Sequence, residues 1–174
     1  TMATLHEKDA VAEEKPEEKT KNYFQPIQVM PYQHVENSFV DFNRERLNYH
    51  MMSTRGPVAA YGDINGDHFM DMVIPGAKGS VTEILLGSAD GSYKKANVSP
   101  VFEKMKEAEH IKAHLFDADN DSDLDLYLAS GGVELSEYSE YLYDAVLIND
   151  GKGNFVHSGQ KLPISERGIS TGAI

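Results

Sequence analysis

Short apolar runs separated by turn residues dominate the chain from Pro57 onward. The runs VAAY, MDMVIPG, TEILLG, KAHLF, LDLYLAS and DAVLIND alternate with segments rich in Gly, Asp, Asn and Ser. Runs of this length between turn residues are typical of β-strands joined by tight loops. One segment, SPVFEKMKEAEH, has the composition of a helix and is expected to form a short connector. The pattern therefore predicts a mainly β protein.

The residues before Pro57 have a different character. Residues 1–22 are rich in Glu and Lys and poor in apolar side chains, which predicts a flexible, charged N-terminal tether. Residues 23–56 are more globular in composition and are expected to lead into the first strand unit. Within them, NSFVDFNRERLNYHMM fits either one helix or an irregular lead-in. Its apolar positions are Phe39, Phe42, Leu47 and Met51.

An internal repeat organises the rest of the chain. AAYGDINGDHFMDMVIPGA (59–77) aligns with AHLFDADNDSDLDLYLASG (113–131) at a constant offset of 54 residues, with aspartate at the first, fifth and ninth places of both loops. Downstream, ILLGSADGSY aligns with VLINDGKGNF as a strand, a glycine-containing turn and an aromatic residue. Each unit thus reads as strand, acidic loop, strand and hairpin. The units are repeat 1 at 57–108, repeat 2 at 109–168, and the start of a third at 169–174, where STGAI is similar to STRGPV.

The two acidic loops have the spacing of a cation site. Places one, three, five and nine offer side-chain oxygens, and place seven offers its backbone carbonyl, which is a donor set that suits calcium. Magnesium is the less favoured ion because it requires a tighter octahedron. Two calcium sites are therefore predicted, one per loop. Their ligands are Asp63, Asn65, Asp67, the Phe69 carbonyl and Asp71 in the first loop, and Asp117, Asp119, Asp121, the Asp123 carbonyl and Asp125 in the second.

Two other interpretations compete with a β-sheet calcium loop. An EF-hand requires a glutamate at place twelve and flanking helices, but Ile74 and Leu128 occupy that place and strand-like runs follow. Clusters of Asp and Asn also form turns without any ion, because their side chains bind local backbone groups. The sixth place, where glycine would ease a sharp turn, holds His68 and Ser122 instead.

Composition narrows the functional classes. A net charge of -12 and a pI near 4.9 argue against a nucleic-acid partner. The absence of cysteine excludes disulfides and thiolate zinc sites. No apolar run is long enough to insert into a membrane, and no signal peptide is evident. Because the chain begins with Thr1 followed by Met2, a trimmed or internal segment is expected. The histidines follow no zinc motif, and no nucleophile elbow or P-loop occurs, so an enzyme is not expected.

The segments GPVAAYGDINGDHFMDMVIPGAKG, FDADNDSDLDLYLASGG and LINDGKGNF resemble the FG-GAP/VCBS repeats of integrin-alpha-like β-propellers, and above all bacterial VCBS-repeat proteins that often carry ASPIC/UnbV domains. The resemblance covers about residues 35–174. It implies four-stranded blades around an axis, one calcium loop per blade, and an extracellular, periplasmic or cell-surface location. Because propellers have four to eight blades, the chain is expected to be a partial β-propeller of about two blades plus the start of a third, lacking its downstream blades.

The function expected from the resemblance is non-enzymatic. The segment would bind a protein or glycan outside the cytoplasm, as in adhesion, with calcium in a structural role. The alternatives are a scaffold or part of a surface polysaccharide hydrolase or lyase, and a purely structural spacer. The insertion GVELSEYSEYLYDA (132–145) is either a recognition loop or, as we favour, an extended hairpin or short helix that packs Leu135, Tyr138 and Leu142.

Overall fold

The computed structural model describes residues 30–160 except Asn48, Met52, Val98 and Glu137. The predicted tether at 1–22, the first part of the lead-in, the end of repeat 2 and the predicted third unit at 169–174 lie outside the described residues. Within them, the elements in chain order are β1 (Ala60–Gly62), β2 (Asp71–Ile74), β3 (Glu83–Gly87), β4 (Tyr93–Lys95), α1 (Pro100–Met105), β5 (Glu109–Phe116), β6 (Asp125–Gly131), β7 (Ala145–Ile148) and β8 (Val156–His157).

The strands form two four-stranded antiparallel sheets, ordered β1-β2-β3-β4 and β5-β6-β7-β8. Each sheet pairs strands that are consecutive in the chain, so each is an antiparallel meander. The prediction of a mainly β protein is confirmed. The predicted connector helix is present but shorter than the segment SPVFEKMKEAEH: it covers Pro100–Met105, and Glu109 and His110 begin β5 instead. It starts after Ser99 with Pro100 in its first turn, where the missing N–H and fixed φ of proline are favourable.

The strand register reproduces the repeat found in the sequence. Gly62 pairs with Asp71 across the first acidic loop, and Phe116 pairs with Asp125 across the second. Both pairs are related by the same 54-residue offset. The two loops therefore span equivalent strand ends in the two sheets.

The two sheets meet through their first strands. The N–H of Val58, just before β1, donates to the Ile111 carbonyl, and the N–H of Ala113 donates to the Val58 carbonyl, both at 2.9 Å. Apolar side chains from both sheets share one core, in which the rings of Phe102 from α1 and Phe155 lie 6.0 Å apart. The buried members of this core are Ala60, Ile64, Val73, Ile84, Phe102, Ala113, Leu126, Leu128, Ala145, Leu147 and Phe155.

The lead-in before β1 is irregular over the part that the structure describes. Its regular element is a 3-10 turn at Asp41–Asn43, and Leu47 is almost fully exposed, so the single-helix alternative is not what forms. The segment is fixed by polar contacts instead. The carboxylate of buried Asp41 accepts from the Ser53 N–H at 3.0 Å, and Arg44 donates to the carbonyls of Val133 and Leu135 at 2.9 and 2.7 Å.

The insertion in the second sheet contains a 3-10 helix at Glu140–Leu142. The Ser139 hydroxyl accepts from the Tyr141 N–H at 3.2 Å and so begins this turn. Leu142 is buried, as the short-helix interpretation expects, whereas Tyr138 is 75% exposed. The insertion follows β6 and lies at the end of the sheet opposite the acidic loop. Among the described residues, no helix combines the length and apolarity of a bilayer span.

Candidate metal centre

The carboxylate of Asp63 organises the first acidic loop. Its Oδ1 accepts from the backbone N–H groups of Asn65, Gly66 and Asp67 at 3.3, 2.7 and 3.2 Å, and its Oδ2 accepts from His68 at 2.7 Å. Burial pushes the pKa of Asp63 upward, but the four backbone hydrogen bonds outweigh it and hold the pKa below its ordinary value. The ionised form of Asp63 is therefore stabilised by the loop backbone.

The next two polar side chains extend this arrangement. Asn65 Oδ1 accepts from the Asp67 N–H at 3.0 Å, while Asn65 Nδ2 donates to the Asp67 carboxylate at the same distance. The other oxygen of Asp67 accepts from the Phe69 N–H at 2.9 Å. Such side-chain to backbone bonds two residues ahead are Asx turns. They are compatible both with the ion-free turn interpretation and with a loop preorganised for a cation.

The second loop repeats the pattern around Asp117. Its two carboxylate oxygens accept from the N–H groups of Asn120 and Ser122 at 2.7 and 3.1 Å. Asp121 accepts from the Asp123 N–H at 3.1 Å. The turn forces positive φ on Asn120 (+66°) and Ser122 (+76°). In the first loop His68 has the corresponding angle, +69°. The sixth place of each loop therefore adopts a left-handed conformation without glycine.

The aspartates at the ninth place are fully buried and join each loop to the sheet. Asp71 accepts from the N–H groups of Ile64 and Gly87 at 3.1 and 2.9 Å. Burial raises the pKa of Asp71, although these two hydrogen bonds oppose the shift. Asp125 accepts in the same way from the N–H groups of Ala118 and Asn149, both at 2.8 Å. Asp71 thus contacts its own loop and the last residue of β3, and Asp125 contacts its own loop and the residue that follows β7.

Three carboxylates of the second loop converge. Oxygens of Asp117, Asp119 and Asp125 all lie within 4.8 Å of one another. Burial, followed by the negative charges of Asp121 and Asp125, raises the pKa of Asp119. The same causes raise the pKa of Asp123 to about 6, and one Asp123 oxygen is buried without a hydrogen-bond partner among the described residues. The charge in this loop is therefore poorly compensated by the protein itself.

The predicted ligands converge more closely in the second loop than in the first. In the second loop, the predicted side chains of Asp117, Asp119 and Asp125 converge, and Asp121 adjoins them. Within the described residues, the acids of the first loop form no comparable group of three carboxylate oxygens, because Asn65 replaces an acid at the third place. The predicted donors there also include the amide of Asn65 and the carbonyl of Phe69.

Asn149 is a residue of this region that the sequence did not single out. Its Nδ2 donates to the Ile64 carbonyl at 2.8 Å and to the Leu124 carbonyl at 3.1 Å, and its Oδ1 accepts from the N–H groups of Asp150 and Gly153 at 2.9 and 3.0 Å. Ile64 belongs to the first acidic loop and Leu124 to the second. The available signal was that VLINDGKGNF has asparagine where the aligned hairpin has Gly87.

Two buried titratable residues lie at the start of β5, away from the acidic loops. Burial, reinforced by the charges of Glu134, Glu36 and Asp41, raises the pKa of Glu109 to about 7, and Lys78 opposes the shift. Burial also lowers the pKa of the next residue, His110, to about 4 against the opposing effect of Asp144. The sequence pattern placed both residues at the end of the predicted connector helix and gave no sign of their burial.

A cavity of about 230 Å³ lies beside His110 at this end of the second sheet. Its wall combines aromatic and acidic side chains with apolar residues at the end of α1. The carboxylate of Asp144 in this wall is held by the Ser130 N–H at 2.7 Å and by the Tyr127 hydroxyl. The lining includes Met105, His110, Glu140, Tyr141, Tyr143 and Asp144.

Comparisons of the chain with protein-family models, with curated proteins and with solved structures find no match. The chemistry of the site has to be inferred from its own side chains. The two loops offer carboxylate, amide and carbonyl oxygens. Oxygen donors of this kind suit hard divalent cations such as calcium, magnesium and manganese.

Proposed function

We propose that the acidic loops at 63–71 and 117–125 each bind a calcium ion that ties the first two strands of a sheet together. The convergence of carboxylate oxygens from Asp117, Asp119 and Asp125 carries this proposal. Calcium binds its oxygens at about 2.3 to 2.6 Å, so two ligands of one ion are at most about 5 Å apart. The oxygens of the three carboxylates, within 4.8 Å of one another, satisfy that limit.

The electrostatics of the second loop support the same ion. Burial and, after it, the neighbouring carboxylates raise the pKa of Asp119 and Asp123, which means that the folded loop resists full ionisation. A divalent cation reverses this repulsion, because each carboxylate then faces a positive charge. Binding of the ion therefore adds to the stability of the folded state.

The proposed architecture is two neighbouring blades of a β-propeller of the FG-GAP/VCBS type, with further blades supplied by the rest of a longer chain. Two observations support it. Both sheets are four-stranded with the same order, and they meet through their first strands. Stacked units of this kind bury a continuous core between them, as the shared core of the two sheets does here.

The proposed role is non-enzymatic binding of a protein or glycan, by a secreted or cell-surface protein. The calcium loops would be structural, since their aspartates already hold backbone N–H groups. The insertion at the opposite end supplies the proposed recognition surface. Tyr138 is exposed there, and the cavity lined by Tyr141 and Tyr143 is adjacent. Exposed tyrosines on loops are frequent in recognition surfaces.

Thermal unfolding after removal of metal tests the calcium proposal. Adding calcium should raise the melting temperature, because a ligand at 100 times its Kd stabilises the folded state by about 2.7 kcal/mol. Asp119→Asn should abolish the contribution of the second loop. Asp90→Asn is the matched control, because Asp90 is an exposed aspartate of the β3–β4 turn outside both loops. A melting temperature that does not respond to calcium would contradict the proposal.

A glycan array, probed with and without calcium, tests the binding role separately. Binding should require calcium and should weaken when Tyr138 or Tyr141 is replaced by alanine. Release of reducing ends from a bound polysaccharide would instead favour the hydrolase or lyase alternative. Retention of all binding in the tyrosine variants would exclude the insertion as the recognition surface.

A further inference from the structure

A continuous buried path of bonds connects the two acidic loops. It starts at Asp71, whose Oδ2 accepts from the N–H of Ile64 at 3.1 Å. The carbonyl of Ile64 accepts from Asn149 Nδ2 at 2.8 Å. The backbone N–H of Asn149 donates to Asp125 Oδ1 at 2.8 Å. The path thus runs between the two buried aspartates at the ninth places of the loops, and each of its members is less than 5% exposed.

The side chain of Asn149 is held by hydrogen bonds at both ends of its amide group. Both N–H bonds of its side-chain amide are used, by Ile64 and Leu124, and its Oδ1 accepts from Asp150 and Gly153. The side chain thus makes four hydrogen bonds, which is the full set that an asparagine offers. Nδ2 faces two backbone carbonyls and Oδ1 faces two backbone N–H groups. These partners determine the orientation of the Asn149 amide. Movement of either loop would break at least one of these bonds.

The first sheet has no counterpart of this side chain. The N–H of Gly87 binds Asp71 as that of Asn149 binds Asp125, so the two residues occupy equivalent places. A Cβ at Gly87 would collide with the carbonyl of Met70. The second sheet accommodates a side chain at this place, and that side chain reaches back to the first loop. The connection therefore depends on one residue.

We propose that Asn149 couples the two acidic loops, so that ordering one loop by a cation raises the cation affinity of the other. The inference depends on the proposed function in that calcium is the ion that orders the loops. The carbonyl of Ile64 stays in place when Asp71 is fixed by an ion, and Asn149 then fixes Asp125 through its backbone N–H. By linkage, the effect must be equal in both directions.

A double-mutant cycle followed at the first loop tests the coupling. Calcium is titrated into the full chain while the amide signal of Gly66 reports binding at the first loop. Asp119→Asn, which impairs the second loop, should weaken this binding about fivefold or more, the lower end of typical coupling between sites. In the Asn149→Ala background the same change should have no effect. Asn154→Ala is the control, since Asn154 lies in the same turn and bonds Asp150 but neither loop.

If Asp119→Asn changes the affinity of the first loop equally with and without Asn149, or has no effect in either background, the coupling is overturned while the calcium proposal stands. Asn149→Gly serves as a second variant, because the equivalent place in the first sheet is glycine. It should behave as the alanine variant does.

If no calcium binds, the proposed function fails, and hydrogen exchange in a chelator decides the coupling on its own. Removing the Asn149 side chain should then speed exchange of the amides of both Ile64 and Ala118, one in each loop. Faster exchange confined to the turn at 150–154 would overturn the coupling.

Discussion

Gly62, the last residue of β1, lies directly against the side chain of Leu124 in the second acidic loop. A Cβ at Gly62 would lie 2.6 Å from Leu124 Cδ1 and 3.0 Å from Leu115 Cδ1. The aligned residue of the second sheet is Phe116, which is partly exposed. The first sheet can approach the second loop this closely because repeat 1 has glycine where repeat 2 has Phe116.

Substitution of Gly62 should therefore destabilise the contact between the sheets. Gly62→Ala forces two leucine side chains to move, and overpacking of this kind costs about 1 to 3 kcal/mol. The free energy of unfolding in urea measures the loss. In a Leu124→Ala background the added methyl group has room, so the penalty should fall. An equal penalty in both backgrounds would contradict the packing explanation.

The buried aspartates at the ninth places should be needed even without metal. Asp71→Asn retains one carbonyl oxygen, so one of the N–H groups of Ile64 and Gly87 loses its acceptor. An unsatisfied buried donor costs about 1 to 3 kcal/mol. Unfolding measured in a chelator should show this loss for Asp71→Asn and a similar one for Asp125→Asn. The exposed control Asp90→Asn should change stability little. Equal losses at all three positions would contradict a structural role for the two buried carboxylates.

Stability should depend on pH through Glu109. Burial and the charges of Glu134, Glu36 and Asp41 raise its pKa to about 7, above its ordinary value of 4.5, despite Lys78. The folded state therefore binds this proton more tightly than the unfolded state, and the group's stabilisation is present below pH 4.5 and lost as pH rises through 7. The loss amounts to about 1 to 3 kcal/mol, since solvent contact screens part of the shift.

Glu109→Gln removes one titrating group and should reduce the pH dependence of the melting temperature between pH 5 and about 8, with calcium held constant. The dependence that remains includes that of Asp123, whose pKa is about 6. The control is Glu107→Gln, an exposed glutamate two residues away. If Glu107→Gln flattens the profile as much as Glu109→Gln, the dependence does not come from the buried carboxyl.

Replacing Ser122, the left-handed residue at the sixth place of the second loop, with glycine should stabilise the folded state. Ser122 has φ of +76°, a conformation that strains an L residue and that glycine adopts freely. Ser122→Gly should raise stability by about 1 kcal/mol or less, because the greater freedom of the unfolded chain offsets part of the relief. Ser122→Ala keeps the Cβ and should give no gain. Chemical unfolding of the unchanged protein and the two variants compares their stabilities directly. A gain in stability from Ser122→Ala would contradict the explanation by backbone strain.

The local parts of this fold could be read from the chain because they depend on neighbouring residues. The short apolar runs around Val73 and Leu126 predicted strands, and the paired aspartates 54 residues apart anticipated the identical register of Gly62–Asp71 and Phe116–Asp125. The Asx-type bonds of Asp63 likewise follow from its spacing to the N–H groups just ahead of it.

The remaining features depend on contacts between distant segments. Asn149 looks like an ordinary turn residue in LINDGKGNF, and its role appears when Ile64, 85 residues earlier, is placed beside it. Glu109 looks like an ordinary residue of the predicted connector helix, and its raised pKa depends on burial and on the distant charges of Glu134 and Asp41. The lead-in is irregular because its polar side chains make contacts outside a helix: Asp41 accepts from the Ser53 N–H, and Arg44 donates to the Val133 carbonyl in the second half of the chain.

The position of Asn149 also sets an order of events during synthesis. The ribosome must add 85 residues after Ile64 before the amide that binds its carbonyl exists. The first loop can form its own turn much earlier, since the donors to Asp63 lie within five residues. In a nascent chain the first acidic loop can therefore form its local bonds to Asp63 early. It gains the bond from Asn149 to the Ile64 carbonyl only when the hairpin between β7 and β8 emerges.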